Sequence, residues 1–281
     1  NGRRAQEPAR RRKKSVLRRI LGVFRAIFIT LWTILLIGVL SAGVGLYYFK
    51  QYVEVTLAPS LQIRAEDYTM NQSSFVYYQD KETGDWKELQ NVHGEENRVL
   101  VDFDQMSDYL WQAAVAIEDQ RFFQHEGVDW MRTAKAVMNI LQGDSSMGGS
   151  TITQQVLKNM TEDNKPYINR KIREIFRALE FEKNYKKEQI LELYLNTIYL
   201  GKSCYGVQTA AQYYFGKDAK DLDLAESACL IAITNNPSLF GPMYDITYTR
   251  KDGSTVTPRE LNKQRQIAIL DKMCDPEVIN P

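Results

Sequence analysis

Hydrophobic residues follow three different rhythms along this 281-residue chain. From Ala26 to Phe49, AIFITLWTILLIGVLSAGVGLYYF, they run on without a charge. A helix of that length rises roughly 36 Å against a hydrocarbon core of roughly 30 Å, enough to cross a bilayer. Between Lys50 and Phe103 the run breaks into short β-branched and aromatic clusters. There SSFVYYQDKETGDWKEL reads as two strands around an Asp-Lys-Glu-Thr-Gly turn. From about Gln105 the apolar positions recur at three and four residues, in MSDYLWQAAVAIED, WMRTAKAVMNILQG, STITQQVLKNMT, INRKIREIFRALEFEKNY, KKEQILELYLNTIYL, VQTAAQYYFG, LDLAESACLIAIT and PRELNKQRQIAILDKM. Gly, Asn and Pro bound these stretches, as expected of helices. The pattern predicts a mainly α protein: a basic tail (1–25), a transmembrane helix (26–49), a β-rich neck (50–103) and a helical domain (104–275). Residues 276–281 read as the start of a linker.

Composition supports a globular domain, with 44% hydrophobic and 25% charged residues, but the net charge of +1 conceals an asymmetry. The opening RRAQEPARRRKKSVLRR carries nine Arg or Lys against one Glu, and the rest is mildly acidic. With the basic block before the span, the positive-inside rule puts the N-terminus in the cytoplasm and everything after Lys50 outside. A cleaved signal peptide would have a shorter apolar region ending in small residues, whereas this one passes into LYYFKQYVEV. The span behind it accounts for the basic block, so no nucleic-acid partner is expected. Cys204, Cys229 and Cys274 are too few and too scattered for a disulfide framework, and Cys229 reads as a small core residue. No CxxC or HExxH pattern suggests a structural metal.

Candidate chemistry concentrates in AIEDQRFFQHEGVD, Ala116 to Asp129. An apolar helix ending in Glu118-Asp119 could set an acid at the lip of a cleft, where desolvation raises its pKa into a useful range. Taken alone, the pair reads more simply as a solvated helix end.

Five stretches in order alter that balance: EDQRFFQHEG (118–127), GGSTITQQVLKN (148–159), RKIREI (170–175), KEQILELYLNTIYLG (187–201) and AAQYYFGK (210–217). Together they resemble the peptidoglycan glycosyltransferases, glycosyltransferase family 51, found in class A penicillin-binding proteins and monofunctional transglycosylases. The resemblance covers residues 98–273 well and the neck loosely. It implies a lysozyme-like catalytic domain and polymerisation of lipid II into β-1,4-linked glycan strands with release of polyprenyl diphosphate. It also implies a bacterial plasma membrane location, single-pass, with the catalytic domain extracytoplasmic. Expected partners are lipid II, the growing strand, the bilayer and other cell-wall synthesis proteins. A transpeptidase domain would follow in a longer class A protein, but no SxxK or KTG motif occurs here.

By the same resemblance Glu118 is the general base that takes the acceptor hydroxyl's proton. Asp119 is placed at the substrate site, orienting the turn rather than reacting. For His125, a hydrogen bond near Glu118 and plain packing both stay open, and Phe122 and Phe123 are packing residues. Ser150, Thr151, Gln154 and Gln155 match the substrate-contacting STITQQ, at a helix start whose free N–H groups favour phosphate oxygens. Ser150 could also cap that helix. Lys158, one turn after Gln154, matches a lysine that meets a pyrophosphate. Arg170, Lys171 and Arg173 surround Glu174, the family's second glutamate. Glu174 is implicated in handling the donor diphosphate, with Mg²⁺ or Mn²⁺ as a substrate-linked cofactor. Without the resemblance, this run is an ordinary salt-bridged surface helix.

The chain also departs from the family. Lys165, before Pro166, stands where some relatives carry Arg, Gln189 where many carry an acid, and ITNNPSLFGP (233–242) follows a late Pro-rich loop only in outline. GDSSMGGS reads as a mobile flap. The WMRTAKAVMNIL helix suits a membrane interface through Trp130, Met131 and Met138, with ordinary core packing as the alternative. Two rival functions are a glycan-cleaving enzyme, which has no diphosphate to bind, and a silent scaffold, which has no need of both glutamates.

Overall fold

The computed structural model describes residues 11–58, 61–68, 70–143, 148–161 and 167–275. Its contacts divide the chain into two compact units, Asn1–Ser60 and Leu61–Pro281. The smaller is dominated by α1, Arg11–Tyr52, which continues as a π-helical turn, Val53–Leu57. The uncharged run 26–49 therefore sits inside a longer helix of roughly 63 Å. Its apolar side chains, among them Phe28, Trp32 and Leu36, are exposed, and Thr30 and Thr33 return their hydroxyls to the carbonyls of Ala26 and Ile29. Among the described residues this is the one helix long and apolar enough to cross a membrane.

In the larger unit β1 (Ser74–Gln79) and β2 (Trp86–Val92) form the expected antiparallel hairpin, with a bulge between Val76 and Tyr77. Residues 61–103, expected as a separate neck, cluster with the helical domain. β3 (Asn97–Arg98) pairs in parallel with β4 (Cys204–Tyr205), and the N–H of Ala65 donates to the Tyr185 hydroxyl at 2.8 Å. Two-residue strands leave no periodic signal, so this pair was illegible in the sequence.

All eight periodic stretches are helical: α2 (Asp108–Glu118), α3 (Trp130–Leu141), α4 (Ile152–Thr161), α5 (Tyr167–Asn184), α6 (Lys187–Thr197), α7 (Val207–Phe215), α8 (Leu224–Ile233) and, after the short α9 (Pro237–Phe240), α10 (Pro258–Met273). The polar loop 247–258 carries a further small hairpin, β5 (Tyr248–Thr249) with β6 (Thr255–Val256). α8 packs on α2 and α10, and α4 on α5 and α6. Helices α2 and α8 both bury small residues completely, Ala113, Ala114 and Ala116 on α2 and Ala228 and Ala232 on α8. Bulk comes from Leu110, Phe122, Leu157, Ile190, Tyr194 and Leu230. The three cysteines are free, and burial pushes the Cys229 thiol up to about 11.

Gly127 shows how the 118–129 corner is fitted to this core. Its φ of +87° suits glycine, and a Cβ there would come within 2.4 Å of the Ala178 carbonyl oxygen on α5. The carbonyl of Gly127 accepts from Thr151 Oγ1 at 2.7 Å, which joins the corner to the start of α4.

Candidate active site

α2 stops at Glu118 because Asp119 leaves helical geometry, at φ −156° and ψ 72°. The Glu118 carboxylate, 17% exposed, is held from three distant parts of the sequence. Gln155 Nε2 donates to Oε2 at 3.1 Å, while Thr234 Oγ1 and Arg265 Nη2 lie 3.0 and 3.2 Å from Oε1. Arg132 donates to the Glu118 main-chain carbonyl and, through Nε at 3.0 Å, to that of Gly148. This is no freely solvated helix end.

Asp119 faces inward and is wholly buried. Oδ2 accepts the Ile152 N–H at 3.0 Å, and both oxygens lie 3.1 Å from His125 Nε2. The hydrogen-bonding role left open for His125 therefore exists, but towards Asp119 rather than Glu118. Asp119, expected at the substrate site, is here an anchor, its carboxylate buried among protein donors, and His125 is its partner. Lys187 extends the anchor: its Nζ donates to the His125 carbonyl at 2.7 Å and lies 4.3 Å from the centre of the Phe122 ring.

The start of α4 is also more self-contained than expected. Thr151, not Ser150, is the cap: its Oγ1 accepts the Gln154 N–H at 3.2 Å, while Gln154 Oε1 accepts the Thr151 N–H at 3.2 Å, a reciprocal capping box. With Ile152 N–H on Asp119, three helix-start donors are already occupied inside the protein. Thr151 is fully buried, so its predicted place among substrate contacts is corrected to a structural one.

Consecutive helix residues diverge by about 100°, and Gln154 and Gln155 use that divergence to serve two clusters. Gln155 reaches Glu118, and Gln154 reaches Lys171. The three donors of the Lys171 ammonium meet Ser150 Oγ at 2.8 Å, Gln154 Oε1 at 3.3 Å and Glu174 Oε2 at 3.3 Å. Arg170 Nε lies 3.4 Å from Glu174 Oε1. Burial holds the Lys171 ammonium below the usual lysine range; Glu174 opposes that shift, while Lys158 and Arg170 add to it. Lys158 is thus close enough to be felt, although it is exposed. Arg173 is buried beside Glu174 in the sequence. Lys165, Pro166 and residues 144–147 of the expected flap lie outside the described residues.

Among the described residues no three His, Cys, Asp or Glu side chains stand together as a metal site. Glu174 supplies a single carboxylate, with cations against both oxygens. That donor set does not make a protein-held centre; it fits a Mg²⁺ or Mn²⁺ ion only if diphosphate and water provide most of the ligands.

Sequence reading missed a cationic cavity near the end of α2. A cavity of about 560 Å³ opens between the end of α2, α3 and the end of α10, and Arg121, Arg132, Lys135 and Lys272 line it. Arg121 is held by Asp129 at 2.7 Å. The Lys272 ammonium is pushed down by burial and then by its neighbours Arg132 and Arg265. Asp129 and Asp275 also line the cavity, so its cations outnumber its carboxylates, a lining that suits an anion. No motif could have revealed Thr234 or Arg265, which reach Glu118 from 116 and 147 residues away.

A model of the transglycosylase family matches residues 85–273. Penicillin-binding protein 1A of Clostridium tetani is 37% identical over 278 residues, 96% of this chain and 32% of its own. Penicillin-binding protein 4 of Bacillus subtilis is 35% identical over 225 residues, 76% of this chain and 35% of its own. Penicillin-binding protein 1A of Vibrio cholerae is 40% identical over 172 residues, 61% of this chain and 21% of its own. The chain thus spans about a third or less of the length of these relatives. All five motif stretches, and both carboxylate clusters built from them, fall inside the family match. The chain belongs to the transglycosylase family, the peptidoglycan glycosyltransferases of class A penicillin-binding proteins.

Proposed function

We propose that this chain polymerises lipid II at an outer membrane surface, with Glu118 as general base and two cationic regions holding two diphosphates. The observation that supports the reading is the Glu118 carboxylate held by Gln155, Thr234 and Arg265, in a domain that also carries two cationic groups. One is Lys171, Lys158 and Arg170 with Glu174; the other is the cavity of Arg132, Lys135 and Lys272. A donor bound at the first would present its anomeric carbon with the leaving diphosphate beside cations. An acceptor whose diphosphate enters the second would bring its 4-hydroxyl to Glu118. The hydroxyl proton passes to the carboxylate, the new glycosidic bond forms with inversion, and polyprenyl diphosphate leaves. A divalent ion, held through Glu174 and diphosphate oxygens, would supply further neutralisation of the leaving charge. Incubation of the purified chain with lipid II and Mg²⁺ or Mn²⁺, followed by separation of the products, tests the reading. Glycan ladders are expected, and unchanged lipid II would contradict it.

The Lys171 ammonium has a testable consequence. Because it loses its proton at a lower pH than an ordinary lysine, binding of inorganic pyrophosphate should weaken as pH rises into that lowered range. Lys171→Arg should keep binding flat across the same interval, since guanidinium stays charged. Calorimetric titration at stepped pH measures this, and parallel curves for the two proteins would count against the assignment.

Two features, α1 and the exposed face of α3, support a reading of membrane contact. Core packing of α3 is not what the structure has: Trp130, Met131, Val137 and Met138 are 59, 72, 52 and 55% exposed, next to exposed Lys135. We read this face as interfacial, alongside α1 as the span. A chain lacking residues 1–49 should retain affinity for anionic vesicles in flotation assays. Trp130→Asp with Met131→Asp should lower that affinity at least tenfold; equal flotation of both proteins would remove α3 from the interface.

A further inference from the structure

Thr234 ends α8 at its C-cap, with φ −53° and ψ −36°. It lies in ITNNPSLFGP, the stretch that follows the family pattern only in outline. Its Oγ1 is 3.0 Å from Glu118 Oε1 and 2.9 Å from the Ile231 carbonyl oxygen. A hydroxyl has one proton, so it donates to one acceptor at a time, while its oxygen can also accept; the Tyr194 hydroxyl is a further hydrogen-bond neighbour of Thr234.

The other groups hydrogen-bonded to the Glu118 carboxylate, and the cations near it, lack that versatility. Arg265 and Lys272 on α10 and Arg132 on α3 are cations that only donate, and Gln155 presents its Nε2. Tyr194 on α6 is fully buried, its hydroxyl held well above the usual tyrosine range by burial and then by the Glu118 charge. Asp119 is adjacent but occupied by His125 and Ile152. Cations only donate, so they offer nothing to the O–H that proton abstraction creates on Glu118.

We infer that Thr234 is a positioning residue for Glu118, its hydroxyl partnering the carboxylate in both protonation states; the inference rests on the reading of Glu118 as base. While Glu118 is ionised, Thr234 donates to Oε1. Once Glu118 has taken the acceptor's proton, the Thr234 hydroxyl turns to the Ile231 carbonyl and accepts from the new Glu118 O–H. No atom or electron is gained or lost by Thr234. The charge-assisted bond to the ionised form is the stronger of the two, so removing the hydroxyl raises the proton affinity of Glu118 while loosening its aim.

The test compares Thr234→Val, which keeps the branched shape without the hydroxyl, with Thr234→Ser, which keeps the hydroxyl without the methyl. With lipid II as substrate, Thr234→Val should lower kcat about tenfold, leave KM within twofold and move the acidic limb of the pH profile upward. Thr234→Ser should stay close to wild type in all three. A second arm needs no turnover: infrared titration of the full chain in detergent, as a difference against Glu118→Gln, reads the Glu118 carboxyl directly and should show the same upward shift for Val only. An unshifted carboxyl in Thr234→Val, or a Ser variant as impaired as Val, overturns the inference. A wild-type chain that leaves lipid II unchanged while the titration shows the Val-specific shift would sink the assigned reaction but not the contact. Melting curves of both variants confirm that folded protein is compared.

Discussion

Glu118→Gln should leave a folded protein that forms no detectable glycan strands, with turnover down about 10²-fold or more. The amide keeps the shape of the side chain and can still accept from Thr234 and Arg265 through its oxygen, so the three-way clamp on this position largely survives. What disappears is the ability to take a proton. The carboxylate and Arg265 are both partly exposed, at 17 and 20%, so losing their charge pair should change stability by about 1 kcal/mol or less. Activity and stability should thus separate cleanly. Gel separation of lipid II products beside a melting curve reads both, and near wild-type polymerisation would remove Glu118 from the role of base.

Asp119→Ala should behave in the opposite way, losing stability and activity together. Its carboxylate is wholly buried and satisfies the Ile152 N–H and His125. Removing it leaves two buried donors without an acceptor, at about 2–3 kcal/mol, which corresponds to a fall of about 5–10 °C in Tm for a domain of this size. The start of α4 would no longer be fixed to the end of α2. Gln155 and Gln154, which touch the two carboxylate clusters, both depend on that attachment. Polymerisation should fall well beyond what the loss of folded protein explains. A variant with wild-type Tm would show that Asp119 does not fasten the corner.

The helices were legible because they bury one face each, and burial imposes the three-four rhythm that the sequence displays. α2, α6 and α8 are the clearest, since their alanines and leucines leave no other way to hide apolar surface. The β1–β2 hairpin was legible from its turn. β3 and β4 were not, because two-residue strands have no period. Within the site, the motif residues were visible but their division of labour was not. Asp119 and Thr151 look like substrate ligands by their neighbours in sequence, and only burial shows that they fasten the corner and cap α4. Arg132, Thr234, Arg265 and Lys272 belong to ordinary amphipathic stretches, and the fold alone brings them to Glu118 and the cavity near the end of α2.

The reading also explains why Glu174 and Lys171 are arranged as they are. A lysine whose three donors already have partners is positioned before any anion arrives, so a diphosphate meets a fixed cation rather than a mobile one. Glu174 keeps that lysine and Arg170 oriented, one cation against each of its oxygens.

The central claim is that disaccharide units are joined at the expense of their diphosphate bonds, and one measurement addresses it directly. In a single time course with doubly labelled lipid II, disaccharide incorporated into polymer and polyprenyl diphosphate released are counted together. The account predicts that the two rise in parallel, one diphosphate for each linkage made, and that both stop in Glu118→Gln. Diphosphate release without polymer, or shortening of added glycan strands with no diphosphate released, would contradict it.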